Sequence, residues 1–260
     1  MGLNGFGKVI RQSEMRQESD ALLRSTFKLC ISVSGDSVGQ LSEKAKIARE
    51  YNPDLVELRL DYIKGIDHEK ILKVKRLLNG NEILTLRAKS EGGRFKMPES
   101  KRIDLIRNSI LALKPRFVDV EILAMLEYHE LLPDIEKSKT SLIASYHDLH
   151  GNKSAAELEA IMAKAPLESR SLFAIKIVSE ARKTKDNEKV LGLYSSRILA
   201  NHSLKLVAFC TGEKGVKSRV SCLQAGSPYT YASLPNEPLA PGQIDVESVR
   251  REIAKLKMVK

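Results

Sequence analysis

Eight times between residue 27 and the C-terminus, a short apolar run of strand character is followed by a stretch of helical period. The strand candidates are 28–33, 55–61, 82–88, 116–122, 140–146, 171–178, 204–209 and 229–234. Helical patterns lie near 38–51, 67–79, 98–113, 123–137, 154–164, 184–200, 216–225 and 245–257. Strands that alternate with helices require right-handed crossovers and a parallel sheet. Eight such units closing on themselves give an α/β fold of the (β/α)8 TIM-barrel type. A doubly wound open sheet competes with it, but that fold usually announces itself with a glycine-rich first turn. Here only Gly35 and Gly39 follow the first strand, and no GxGxxG is present. No linker divides the later units. We therefore expect one barrel domain over 27–260. An N-terminal extension over 1–26, flexible or helical, would precede it, with a helical stretch in 12–23.

The 260 residues suit one barrel, and a hydrophobic content of 42% is enough for a substantial core. No apolar stretch is long enough to cross a bilayer, so no membrane partner is expected. The start of the chain lacks the apolar block of a secretory signal, and its acidic residues argue against a transit peptide. The formal net charge of +10 is scattered along the chain and no aromatic RNA-binding motif accompanies it. A solvated basic surface that attracts small anions fits better than a nucleic-acid footprint. Cys30, Cys210 and Cys222 are odd in number and form no CxxC pair. That points to core packing in a reduced, cytoplasmic protein rather than to disulfides or zinc.

Charged residues interrupt the strands in a regular way. In Glu57-Leu58-Arg59-Leu60-Asp61 they alternate with leucines, so strand period puts all three charges on one face. Both faces of a parallel barrel sheet are covered, so the leucines face the helices and the charges face the axis. Asp119-Val120-Glu121 repeats the pattern, Arg87 ends Thr85-Leu86-Arg87, and the fifth strand ends in Ser145-Tyr146-His147-Asp148. Asp61, Asp119 and Glu121 fit structural partners of the pocket cations.

Lys176 stands out in the apolar run Leu172-Phe173-Ala174-Ile175-Lys176-Ile177-Val178. A buried ammonium must be paired or partly neutral, and a neutral lysine attacks carbonyl carbon. Alone it could be a strand-end lysine reaching for water. Glu57, Arg59, Arg87, His147 and Lys176 all sit toward the C-terminal ends of different strands, which converge on one pocket in this fold. Guanidiniums near Lys176 would favour its neutral form. The set suggests imine formation followed by proton transfer, with His147 as acid/base. No HxxxH pair or grouped Cys/His set suggests a metal, and no cofactor is expected.

With these motifs in place, the chain resembles the type I 3-dehydroquinate dehydratases. The likeness runs from about Lys28 to the C-terminus. It is carried by Glu57-Leu58-Arg59, Thr85-Leu86-Arg87 with Glu91-Gly92-Gly93, Ser145-Tyr146-His147-Asp148, Lys176, Gly215-Val216-Lys217-Ser218-Arg219, and Ala240-Pro241-Gly242-Gln243. The resemblance implies dehydration of 3-dehydroquinate, a small anionic carbocycle, through a Schiff base on Lys176, with His147 as general base and then acid. It implies that Glu91 orients His147 and that Arg219 meets the substrate carboxylate. Ser32, Glu57, Arg59 and Arg87 would hold the ring hydroxyls and carbonyl region, and Gln243 would close the site from a loop. One departure is Leu239, where many members carry a serine or threonine. The expected assembly is a homodimer. The alternatives are another class I Schiff-base enzyme of aldolase type, or a non-catalytic basic barrel that binds RNA or protein.

Overall fold

The computed structural model describes residues 28–258; the extension 1–26 and the helix expected in 12–23 lie outside them. Eight strands form one parallel sheet: β1 (Leu29–Ser34), β2 (Leu55–Arg59), β3 (Glu82–Thr85), β4 (Phe117–Glu121), β5 (Ser141–Asp148), β6 (Leu172–Glu180), β7 (Lys205–Thr211) and β8 (Thr230–Ser233). Each of β1 to β7 pairs with its neighbour in sequence, and β8 returns to pair with β1. The sheet is a nearly closed (β/α)8 barrel, as the alternation of strand and helix patterns requires. Its seam lies between β7 and β8, where no ladder is formed among the described residues. There the rings of Phe209 and Tyr231 meet with centroids 5.9 Å apart.

The helices are α1 (Val38–Glu50), α2 (His68–Val74), α3 (Glu99–Leu113), α4 (Ile122–Glu127), α5 (Leu131–Ser138), α6 (Ala155–Met162), α7 (Asp186–Gly192), α8 (Arg197–His202), α9 (Ser218–Ala225) and α10 (Val246–Met258). α1 shows why such segments coil and where they pack. Ser37 caps it by accepting from the Gln40 amide, and Leu41, Ala45 and Ala48 form one buried stripe. α6 begins with a reciprocal capping box between Ser154 and Glu157. Strand residues such as Val33, Leu58, Val120 and Ile177 are buried in the hydrophobic core. Burying each such side chain contributes roughly 1.5–3 kcal/mol.

Several expected elements differ from the structure. The helix expected at 123–137 is two, α4 and α5. Pro133 inside one continuous helix would clash and remove a hydrogen bond; restarting at Leu131 puts it in a first turn, where it is tolerated. The helix expected at 184–200 breaks into α7, a single tight turn at Leu193–Ser195 and α8, with Ser196 capping the restart. The strand expected at 82–88 ends at Thr85. Beyond it the backbone leaves the ladder, because the Leu86 carbonyl accepts from Arg102 and the Ala88 amide donates to Glu121.

Candidate active site

Polar side chains from β1 to β6 meet in the upper half of the barrel. Strand register aligns Glu121 with Ser145 and Ser145 with Lys176, so the three occupy one level. Lys176 is 4% exposed. Its Nζ donates to Asp119 Oδ2 at 2.9 Å and lies 3.6 Å from Glu57 Oε1. The Tyr231 ring of β8 covers it, 4.5 Å from Nζ to centroid. The expectation of cations around this amine is therefore corrected: its immediate partners are two carboxylates and an aromatic face. The physical reason is desolvation, which no buried ammonium tolerates without opposite charge.

Both carboxylates are themselves fully engaged. Ser32 Oγ donates to Glu57 Oε2 at 2.7 Å, and Thr85 Oγ1 donates to Glu57 Oε1 at 2.9 Å. Asp119 Oδ1 accepts from Arg87 Nη2 at 2.7 Å and from Ser145 Oγ at 2.5 Å. Burial alone would raise the Asp119 carboxyl, but Arg87, then Lys176 and His147, outweigh it and hold it well below the usual carboxylate range. Arg87 also donates to Glu121 Oε1 at 2.8 Å and to Ser145 Oγ at 2.7 Å.

His147 ends the inward face of β5, two residues beyond the register partner of Lys176. Its Nδ1 lies 2.9 Å from Glu91 Oε2, and the same oxygen accepts from the His147 amide at 2.9 Å. Glu91 is delivered by the tight turn after β3. Gly92 takes φ +85°, and a Cβ on Gly93 would meet the Arg87 carbonyl at 2.0 Å, so neither position suits a side chain. Burial pushes Glu91 up to about 8, against the opposing charge of Arg87. Burial, then Arg87 and Lys176, push the imidazole well below its ordinary value. His147 is thus held neutral, and the Glu91 oxygen that accepts from its amide also accepts from Nδ1–H, leaving Nε2 free to take a proton.

Arg219, in the first turn of α9, is 2% exposed. It stacks on Phe209 at 4.8 Å, and Nη2 donates to the Pro241 carbonyl at 3.3 Å. Nε has no partner, and among the described residues no carboxylate pairs with this guanidinium. Burial pushes it down to about 10. A buried guanidinium of this kind is able to pair with an anion. The loop bearing Gln243 is docked over it: Gly212 N donates to Pro241 O at 2.9 Å, and Leu239 N donates to Gln243 Oε1 at 2.7 Å.

Arg59 and Gln243, both expected site residues, are held by partners of their own. Arg59, the last residue of β2, turns to Asp61 with two hydrogen bonds of 2.9 Å. Asp61 belongs to the tight turn Leu60–Tyr62 and not to the strand, so the three-charge ladder is two residues of strand and one of turn. Gln243 is engaged with its own loop. Three participants were given no role in the sequence reading: Thr85, Ser145 and Tyr231. The alternation of Tyr229, just before β8, with Tyr231 within it was a visible signal for the third. Serine and threonine carry none until the carboxylate they serve is located.

The whole described chain is similar to known proteins. A family model described as type I 3-dehydroquinase matches residues 29–258. A 3-dehydroquinate dehydratase of Thermococcus gammatolerans is 37% identical over 213 residues, covering 82% of this chain and 92% of that protein. That of Methanocaldococcus jannaschii is 33% identical over 227 residues, covering 85% and 96%. Among solved structures, the 3-dehydroquinate dehydratase of Geobacillus kaustophilus superposes with a TM-score of 0.79 at 23% identity, covering 89% of this chain and 91% of that one.

Proposed function

This chain belongs to the type I 3-dehydroquinase family, and from that premise we propose that it dehydrates 3-dehydroquinate to 3-dehydroshikimate through an imine on Lys176. The observation that carries the reading is a buried amine one strand away from a neutral imidazole. Lys176, once its proton has left, attacks the ring ketone; loss of water gives a protonated imine. The cationic nitrogen acidifies the neighbouring C–H, and His147 Nε2 takes that proton. The electron pair left on carbon expels the hydroxyl from the adjacent carbon, and the proton on His147 makes it water. Hydrolysis of the imine frees the product and restores the amine.

Glu91 holds the imidazole through Nδ1 in this scheme. Arg219, a buried cation without a carboxylate, takes the substrate's carboxylate. Ser32, Glu57, Arg59, Arg87 and Gln243 hold the hydroxyls and the carbonyl region. Leu239 offers no hydroxyl, and its amide is taken by Gln243. Asp119 and Glu57 keep the resting ammonium in place, and their negative charge stabilises the iminium.

Borohydride added with 3-dehydroquinate should attach ligand mass to Lys176; mass on a different lysine, or none in active enzyme, defeats the mechanism. His147→Ala should still form the adduct while turnover falls about 10²- to 10⁴-fold, and near-normal turnover would remove His147 from the chemistry. The same reading makes the enzyme a cytoplasmic homodimer of the shikimate pathway. The buried free thiols Cys30, Cys210 and Cys222 suit a reducing compartment, which cell fractionation checks. Sedimentation velocity should give one species of twice the 29.0 kDa chain mass, and a species at the chain mass would exclude the dimer.

A further inference from the structure

An alternating row of charges runs from the protein surface to the barrel lysine. It begins at Glu99, whose carboxylate receives Arg102 Nη2 and Nε at 2.5 and 2.9 Å. Arg102 Nη1 lies 2.9 Å from Glu121 Oε2. Arg87 donates to Glu121 Oε1 and to Asp119 Oδ1, and Lys176 donates to Asp119 Oδ2, each within 2.9 Å. Arg102 leaves α3, outside the sheet, yet is fully buried. Its Nη1 donates to the Leu86 carbonyl at 2.6 Å and also faces Glu121 Oε2, for which Arg102 is the charged partner.

We infer that Arg102 is a positioning residue for Lys176, acting through Glu121, Arg87 and Asp119. This rests on the reading of Lys176 as the imine-forming amine. Glu121 divides its charge between two guanidiniums. Without Arg102 that charge falls wholly on Arg87 and draws it from Asp119. Asp119, less satisfied, then grips the Lys176 ammonium harder, and the free amine appears at higher pH. Neutralising Glu99 has the opposite sign: Arg102 turns wholly to Glu121, Arg87 is released toward Asp119, and the ammonium is held less. The other titratable groups facing the amine are Glu57 on β2, Cys30 on β1, His147 on β5 and Tyr231 on β8. They are the same in every variant, so a displaced titration reports on the row itself.

The test follows borohydride trapping of 3-dehydroquinate on Lys176 against pH, with thermal melting, in the full chain and in Arg102→Met, Arg102→Lys and Glu99→Gln. In wild type the mass must first appear on Lys176; its absence overturns the imine reading and this inference together. Given that adduct, Arg102→Met should move the midpoint of the pH dependence upward and slow trapping at neutral pH about threefold to tenfold. Arg102→Lys should restore most of it, and Glu99→Gln should move the midpoint downward. Midpoints unchanged in both Arg102→Met and Glu99→Gln, with only a lower melting temperature, would make Arg102 an anchor for α3 and overturn the inference while the imine reading stands. Should Arg102→Met not fold, Glu99→Gln decides, since Glu99 is 40% exposed and its loss leaves the core intact.

Discussion

Glu91 and His147 share a buried pocket, and burial drives both toward neutrality, one by keeping a proton and the other by refusing one. Such opposed shifts are how a site sets one group ready to accept a proton at neutral pH. They also fix a sign for stability. Burial pushes native Glu91 up to about 8, above the 4.5 of an unfolded glutamate. Its contribution to stability is therefore complete below the unfolded value and is lost as pH rises through the folded one. Glu91→Gln cannot ionise and still offers an acceptor to the His147 amide and Nδ1. Thermal melts across about pH 5 to 9 should show wild type losing ground to Glu91→Gln as pH rises. Parallel curves would mean that Glu91 is ionised throughout.

At the scale of elements, the site depends on segments that end where the ladder ends. β3 stops at Thr85 so that Arg87 can turn inward and the next turn can deliver Glu91. The loop between β8 and α10 is fastened by backbone: Pro241 O takes both Gly212 N and Arg219 Nη2. Gly242 makes this approach with φ +67°, and a Cβ there would meet the Gly212 carbonyl at 2.2 Å. Gly242→Ala should lift the loop from Arg219. Turnover efficiency should fall about 10- to 100-fold, as small misplacements at a site do, while the barrel still melts cooperatively. Steady-state kinetics beside a melting curve separate the two; an unimpaired rate would show that the docked loop is dispensable.

For the whole molecule the seam between β7 and β8 is the weak line of the barrel. Tyr194, in the turn between α7 and α8, partly mends it from outside. Its hydroxyl accepts from the Ala208 amide at 2.8 Å and donates to the Ala208 carbonyl at 3.1 Å, as a neighbouring strand would. Burial pushes this phenol far up, so it stays a donor. Tyr194→Phe leaves two backbone groups unpaired and should cost about 1–3 kcal/mol in urea unfolding. A smaller loss would mean that water reaches Ala208 in its place.

Hydrophobic period alone determined the barrel, because strand and helix periods differ and each buried face must be apolar. It also singled out Lys176, since a charge in an apolar run is costly unless paired. The His147 and Arg87 positions followed from strand ends, which this fold brings together. Sequence could not decide what surrounds the amine. Glu57, Asp119 and Tyr231 reach it from three other strands, and their distances depend on strand register and barrel curvature. Nor could it place Arg102, which reads as a surface helix residue until α3 packs against the barrel. Local pattern records which side of an element is buried; which buried charges become neighbours is decided only when distant elements close on one another.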